Sequence, residues 1–540
     1  MAGKFNKQSN LQRTKPSTPV RTTSVAPDTV TNEGAVGWSR DPKSELFLLG
    51  VANFVSEDTF YEDKLLRDKR YDMLVTQIAA NDPAWLEGFF PWLRFEANMR
   101  SAPVIGAAIA AKSMLGTKAP GGRRIVAGSL GRADEPGEFL AYWISRWGDK
   151  LPKPVKRGLA DAIVRLYTQR NLLKYDISGK GLRFANVINL VHPSPATPEQ
   201  RELFKFALER AYKDNVEMPE SLKVAKAENA FRKEIAQATF DWDHFFVRTD
   251  RSNVLKAAGL TWQDFLPRVP ERYKTAAWET LIPTMGFQAL LTNLRNFDEA
   301  GISPAARKLV TDRLSDPDKV AKSKMFPFRF LVAHRNVRSL NWGPALETAL
   351  DASLANVPEL PGRTLILVDR SGSMNSTITS TPNKKSWRDA VAGVRLSELA
   401  SIFGSALALR NIGSSTLVEF GGTSREIHLR KGDSLLRTAN QKFTGDMGGT
   451  YLAMAARRHF KGHDRVIVIT DEQYHDGAAG SVVPANVPVY TFNLAGYSAA
   501  GGISGQSNRH TFGGLTDKAF KLIPMLEAAQ SQRWPWETEE

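Results

Sequence analysis

Near residue 363 the hydrophobic pattern of this chain changes period, and that change limits the fold more than any other feature of the sequence. Beyond it, four short apolar runs, TLILVD (364–369), STLVEF (415–420), RVIVIT (465–470) and PVYTFN (488–493), alternate with helical stretches over about 386–410 and 450–460. Strands separated by helices predict a mostly parallel sheet covered on both faces. Ala392, Leu396, Leu399, Phe403 and Ala406 form the sheet-facing stripe of the first of these helices. A last helix is expected over about 515–530.

Upstream, from about 40 to 350, the pattern is helical and shows almost no two-residue alternation. In GFQALLTNLRNF (286–297), Phe287, Leu290, Leu291, Leu294 and Phe297 share one face while Asn293, Arg295 and Asn296 point elsewhere. In GLADAIVRLYTQR (158–170), Leu159, Ile163, Leu166 and Tyr167 face inward. Amphipathic helices in series predict stacked helix pairs of the solenoid kind, each pair burying its face on the next. Tryptophans 143, 147, 262 and 278 lie within such helices and are expected in the core. The resulting division is a polar, disordered basic arm (1–38), a helical module (39–350), a Pro/Gly linker (351–363), an α/β domain (364–530) and a polar tail (531–540).

There are 72 Lys plus Arg against 57 Asp plus Glu in 540 residues, a formal net charge of +15. That balance favours polyanionic partners, nucleic acid first, against the plainer reading of a soluble basic protein. Cysteine is absent, which excludes disulfides, thiolate zinc sites and a cysteine nucleophile and fits a reducing, cytoplasmic setting. No run reaches the roughly 18 uncharged apolar residues of a spanning helix. The nearest, APVIGAAIAA (102–111), stops at Lys112, and no signal peptide is legible, so no membrane partner is expected.

The run TLILVDRSGSM (364–374) ends an apolar strand in an Asp-x-Ser-x-Ser loop. Oxygen ligands there suit Mg2+ or another hard divalent cation, which takes carboxylates, hydroxyls and water. The alternative is a polar turn that caps the next helix. GDMGGTYLAMAARRHF (445–460) puts Thr450 at a Gly-Gly loop entering a helix, and DRVIVITDEQYHD (464–476) puts Asp471 at the end of another strand. Open parallel sheets bind ligands outside the carboxyl ends of their strands, so these residues are expected to meet at one rim.

With Asp369, Ser371, Ser373, Thr450 and Asp471 matching its metal-ion-dependent adhesion motif position by position, the segment 363–525 resembles a von Willebrand factor A domain, a Rossmann-like α/β fold. A helical solenoid followed directly by such a domain resembles the Ro ribonucleoprotein family. The segments YTQRNLLKYDISGKGLRFANVINLVHPSP (167–195), ALLTNLRNF (289–297) and FPFRFLVAH (326–334) carry that likeness. The resemblance implies a TROVE module of HEAT-like helices closed into a monomeric ring that the A domain bridges. It also implies Y RNA on the outer surface and single-stranded ends of misfolded or structured noncoding RNA in a basic central hole. For bacterial members, the Ro sixty-related proteins, it implies a Y RNA tether to the exoribonuclease polynucleotide phosphorylase.

The same resemblance assigns Arg170 and His192 to RNA at the ring surface, with a departure at Leu166, where animal relatives carry a second basic residue. Lys174, Lys180 and Arg183 crowd the adjoining loop-rich stretch and could replace phosphate counterions. Arg94, Arg100, Lys112, Arg123 and Arg124, among Gly and Ala, are candidates for the lining of the hole. Catalysis is not expected. The elbow G-x-S-x-G, the P-loop and HExxH are missing, and a phosphatase of HAD type would carry Asp where Ser371 stands. The competing function is a metal-dependent protein-interaction scaffold whose A domain binds an acidic residue of a partner.

Overall fold

The computed structural model describes residues 18–52, 61–97, 99–176, 182–213, 216–323, 325, 330, 333–334, 337, 339–353, 357–377, 394–513, 518–527 and 533–537. Lys180 and most of 326–332 lie outside the described residues.

The carboxyl-terminal half holds a six-stranded sheet: β3 (Thr364–Asp369), β4 (Ser415–Phe420), β5 (Ser424–Ile427), β6 (Arg465–Thr470), β7 (Val489–Asn493) and β8 (Arg509–Gly513). The spatial order is β5-β4-β3-β6-β7-β8, with β5 antiparallel and the other pairs parallel. Central strand β3 is buried along its whole length because helices cover both faces. Leu365 and Leu367 pack with Leu452, Ala455 and Ala456 of the helix Leu452–His459. Ile366 and Val368 pack with Leu399 and Phe403 of the helix Leu396–Arg410 on the other face. At Gly404 a Cβ would stand 2.3 Å from Val368 Cγ2, so only glycine lets that helix lie so close to β3.

Strands β3, β4 and β6 coincide with the expected runs, and β7 starts one residue late. Of the helix expected over 386–410, the described residues hold Leu396–Arg410, preceded by Arg395, which bridges to Thr377 as extended chain. Ala392 and its neighbours at 386–393 lie outside the described residues. β5 and β8 were not expected.

Among the described residues, the amino-terminal half is helical between Pro42 and Ser353, with small 3-10 turns between helices. Leu159, Ile163, Leu166 and Tyr167 are buried as expected, as are Trp143 and Trp278. Asn293 is a correction. It is fully buried and splits the expected 286–297 helix into Phe287–Thr292 and Leu294–Glu299, its amide bonding to Ala289 O (2.8 Å) and accepting from Asn296 (2.7 Å). Both ends of the helical run rest on the α/β domain. Pro42–Ala52 packs against β8, and Gly343–Ser353 against the helix Leu435–Gln441.

Three segments that composition marks as loose are built into the fold. Residues 18–38 of the arm form a hairpin, β1 (Thr29–Val30) with β2 (Val36–Gly37), and pair with the far end of the chain through Trp38 with Ala500 and Thr22 with Ser504. Residues 1–17 lie outside the described residues. In the linker, Val357 and Leu360 are buried, and Leu360 N–H donates to Asn411 Oδ1 (2.6 Å). In the tail, Trp534 and Trp536 settle among Phe47, Trp85, Phe89 and Trp92 with ring centroids 5.2–6.3 Å apart. Composition misses these because the partners are remote in sequence, 51 residues away for Leu360 and hundreds for the arm and tail, so burial comes from tertiary packing and not from local pattern.

Gly88 makes the tail testable. Alanine in a helix ordinarily gains about 1 kcal/mol over glycine, but at Gly88 its Cβ would lie 2.1 Å from the Trp536 ring. Gly88→Ala is therefore expected to destabilise the protein in urea unfolding and to shift tryptophan emission to the red. A stabilised variant with unchanged emission would contradict the docking of Trp536.

Candidate metal centre and basic surface

At the carboxyl ends of β3 and β6, the structure brings the five motif residues into one crevice. Asp369, Ser371, Ser373, Thr450 and Asp471 are all at most 3% exposed. Ser373 sits in the 3-10 turn Gly372–Asn375 and Ser371 precedes it, which brings their hydroxyls to 3.2 Å. Gly372 N–H donates to Gly448 O (2.8 Å) and Met447 N–H to Arg370 O (2.9 Å), which ties this loop to the one that carries Thr450. Arg370 fixes the loop from behind, bonding Ser397 O (2.9 Å) and Ser401 Oγ (2.8 Å) on the flanking helix.

The two carboxylates have different surroundings. Asp369 has both oxygens engaged, Oδ1 by Ser371 N–H (2.8 Å) and Oδ2 by Thr470 O–H (2.6 Å). Asp471 accepts from Gln473 N–H (3.1 Å) through Oδ1, while Oδ2 is buried with no partner. Burial pushes Asp369 up to about 6. Burial, then the charge of Asp369, pushes Asp471 up to about 8. Two hydroxyls on one turn, a buried threonine and a carboxylate oxygen without a partner suit a hard divalent cation. Among the described residues no cluster of three or more His, Cys, Asp or Glu converges, as expected for a donor set built mainly from hydroxyls.

Around this crevice lie residues that the motif does not include. His475 Nδ1 accepts from Thr450 N–H (3.0 Å), and its ring stacks on Tyr451 (5.2 Å). Glu33, in the turn of the β1–β2 hairpin, pairs with His475 Nε2 (2.7 Å) and accepts from the Tyr61 hydroxyl. No local pattern marks Glu33, since its partners are remote in sequence.

The cations expected to meet RNA divide into three groups. Arg94 and Arg100 are largely structural: Arg94 forks onto fully buried Glu135 (2.8 and 3.2 Å), and Arg100 pairs with Asp134 (2.9 Å) and Glu138. Arg183 is likewise engaged with buried Asp176 (3.4 Å). Arg123 and Arg124 pair with Asp161 (2.6 Å) and Glu87 (2.5 Å) but stay exposed, an arrangement that holds a charge only loosely. Lys112 is exposed, 6.0 Å from the centre of the Trp147 ring.

Arg170, Lys174 and His192 are exposed. Arg170 and Lys174 share the helix Gln169–Tyr175, and His192 ends Phe184–Val191 in a left-handed conformation (φ 55°). His192 borders a cavity of about 490 Å3 together with Asn189, Arg201, Phe204, Lys205 and Glu209. Arg201 and Lys205 are exposed cations that motif reading missed. Their spacing of four on the helix Pro198–Tyr212 was the available signal.

Residues 259–343 match the TROVE domain family. Telomerase protein component 1 of Mus musculus is 42% identical over 69 residues, 12% of this chain and 3% of that protein. RNA-binding protein RO60 of Caenorhabditis elegans is 25% identical over 296 residues, 45% of each chain. The chain thus spans less than half of the length of either relative. The crystal structure of the Deinococcus radiodurans RO (RSR) protein shares the fold, with a TM-score of 0.59 over 91% of this chain and 99% of that one, at 16% identity. The chain is therefore similar to Ro proteins in a TROVE-domain segment, in sequence over almost half its length, and in fold over nearly all of it.

Proposed function

We propose that this chain is an RNA-binding ring protein that holds Y RNA on its outer surface and takes single-stranded ends of misfolded noncoding RNA into a central hole. In this reading it acts in the cytoplasm in RNA quality control or decay, with polynucleotide phosphorylase as the partner exoribonuclease. The similarity to RNA-binding protein RO60 over 45% of each chain carries the reading. The attachment of both ends of the helical run to one α/β domain supports the ring. Arg170 and Lys174, exposed on the helix Gln169–Tyr175, and Arg201 and Lys205, exposed at the cavity that His192 borders, supply the counterions that phosphate needs.

At the crevice the cation is Mg2+, held by Ser371, Ser373, Thr450 and Asp471, with Asp369 orienting the loop. The donor chemistry and the unpartnered Asp471 oxygen support this assignment. The cation would neutralise charge that burial otherwise suppresses, and so brace the α/β domain beneath the helical half.

Two tests follow. Changing Arg170 and His192 together to alanine is expected to weaken binding of a Y RNA by about tenfold, roughly 1.4 kcal/mol. Filter binding at near-physiological salt checks this, and unchanged affinity with unchanged melting would remove both residues from the interface. For the cation, the folded-state values of Asp369 and Asp471 lie above the ordinary carboxylate value, so the metal-free fold holds protons that the unfolded chain releases. Their contribution is complete below about 4 and is lost as pH rises toward about 8. Mg2+ replaces those protons. Its stabilisation, about 2.7 kcal/mol at a hundredfold excess over Kd, is therefore expected to grow between pH 6 and pH 8.5 in thermal melts and to vanish in Asp369→Ala. Equal Mg2+ shifts in variant and parent would remove the metal assignment.

A further inference from the structure

We propose that Glu33, at the tip of the amino-terminal hairpin, is the carboxylate that completes the metal site from within the chain, so that the protein caps its own site and does not offer it to an acidic partner. The inference rests on the reading of the crevice as a divalent-cation site.

The hairpin turn is rigid. Thr31 N–H donates to Ala35 O and Gly34 N–H to Thr31 O, both at 2.9 Å, and Gly34 takes a positive φ of 85° that favours glycine. It is also fixed to the segment that follows β6. Thr31 Oγ1 donates to Tyr474 O and Asn32 N–H to Gln473 Oε1, each at 2.9 Å, and Gln473 N–H itself donates to Asp471. Arg40, below the hairpin, pairs with Glu472 in the interior and donates to Tyr497 O (2.7 Å). Residues 31 and 32 are therefore held next to the strand end that carries Asp471, and Glu33 follows them.

The two oxygens of Glu33 bracket the crevice. One accepts from Tyr61, whose hydroxyl lies within hydrogen-bonding reach of Ser373 and feels the charge of Asp471. The other pairs with His475 Nε2 (2.7 Å). Because His475 Nδ1 accepts from Thr450 N–H, the ring hydrogen sits on Nε2 and points at Glu33. Each oxygen is thus one side chain away from a residue that would bind the cation, Ser373 on one side and Thr450 on the other. Asp471 Oδ2, buried and without a partner, supplies the third corner. A cation among these three faces Glu33, whose carboxylate then exchanges Tyr61 for the metal. Tethering gives Glu33 an effective concentration in the millimolar range, so a partner's Asp or Glu at micromolar concentration competes poorly.

Calorimetric titration of Mn2+ into the EDTA-stripped full-length protein tests the idea, with Glu33→Gln, Glu33→Ala and sodium acetate as a surrogate carboxylate. Glu33→Gln is expected to weaken Mn2+ binding by about tenfold. Acetate should restore affinity in Glu33→Ala and leave the parent unchanged. Metal-free melting curves that match the parent show that the variants fold, and Tyr61→Phe, which keeps the carboxylate, should bind Mn2+ at least as tightly as the parent. Parent-like affinity in both Glu33 variants, or acetate that tightens the parent as much as Glu33→Ala, overturns the proposal while leaving the metal site standing. A parent that takes up no Mn2+ overturns the site and the cap together.

Discussion

Two carboxylates buried at the ends of adjacent parallel strands set the terms for the rest of this structure. Asp369 ends β3 and Asp471 follows β6, both fully shielded from water. Such a pair is unfavourable as two anions unless protons, hydrogen bonds or a cation offset the charge. Thr470 and Ser371 answer Asp369, and among the described residues no hydrogen bond answers Asp471 Oδ2. The surrounding features make sense as the means of holding that imbalance in place. The Arg370 brace, the loop bonds at Gly372 and Met447, and the close approach of a helix at Gly404 all fix the strand ends before any ligand arrives.

What the sequence made legible follows from the same geometry. β3, β4 and β6 are enclosed, so they appear as near-continuous apolar runs, and both ends of all three were readable to the residue. β5 is an edge strand with Arg425 and Glu426 exposed, and it looks like loop. β8 carries Arg509 and His510 inward, where the guanidinium donates to the carbonyls of Gly480 and Val483 and the imidazole stacks on Tyr490, so its polarity hides its burial. The metal motif was legible because its residues follow strand ends that are themselves legible. Glu33, Tyr61 and His475 carry no local signal, since the hairpin that presents Glu33 owes its position to bonds more than 400 residues distant.

Charge was the least transferable part of the reading. A formal excess of 15 positive charges says little about where a polyanion meets the surface, because many arginines are consumed inside. Arg40, Arg67, Arg94 and Arg210 each meet carboxylates at sites where at least one partner is almost inaccessible. Pairing of this kind fixes the relative placement of helices and removes the cation from the surface count. Arg201 and Lys205, by contrast, stay exposed at the cavity that His192 borders.

The two ends of the chain close the remaining gap between the halves. The amino-terminal segment leaves the helical module and lies on the α/β domain, through Thr22 with Ser504 and Arg40 with Glu472. The carboxyl-terminal segment leaves the α/β domain and lies on the first helices, through Trp534 and Trp536 with Phe47 and Trp85. Each half is thus held by a strand of chain that belongs to the other. Separating them requires undoing both docks as well as the two helical joints, so local opening at any one joint leaves the others to restore it. A helical module stacked only on its neighbours has free ends that can splay. Exchange of the termini removes that freedom, and it brings the hairpin that carries Glu33 to the rim where Asp369 and Asp471 meet.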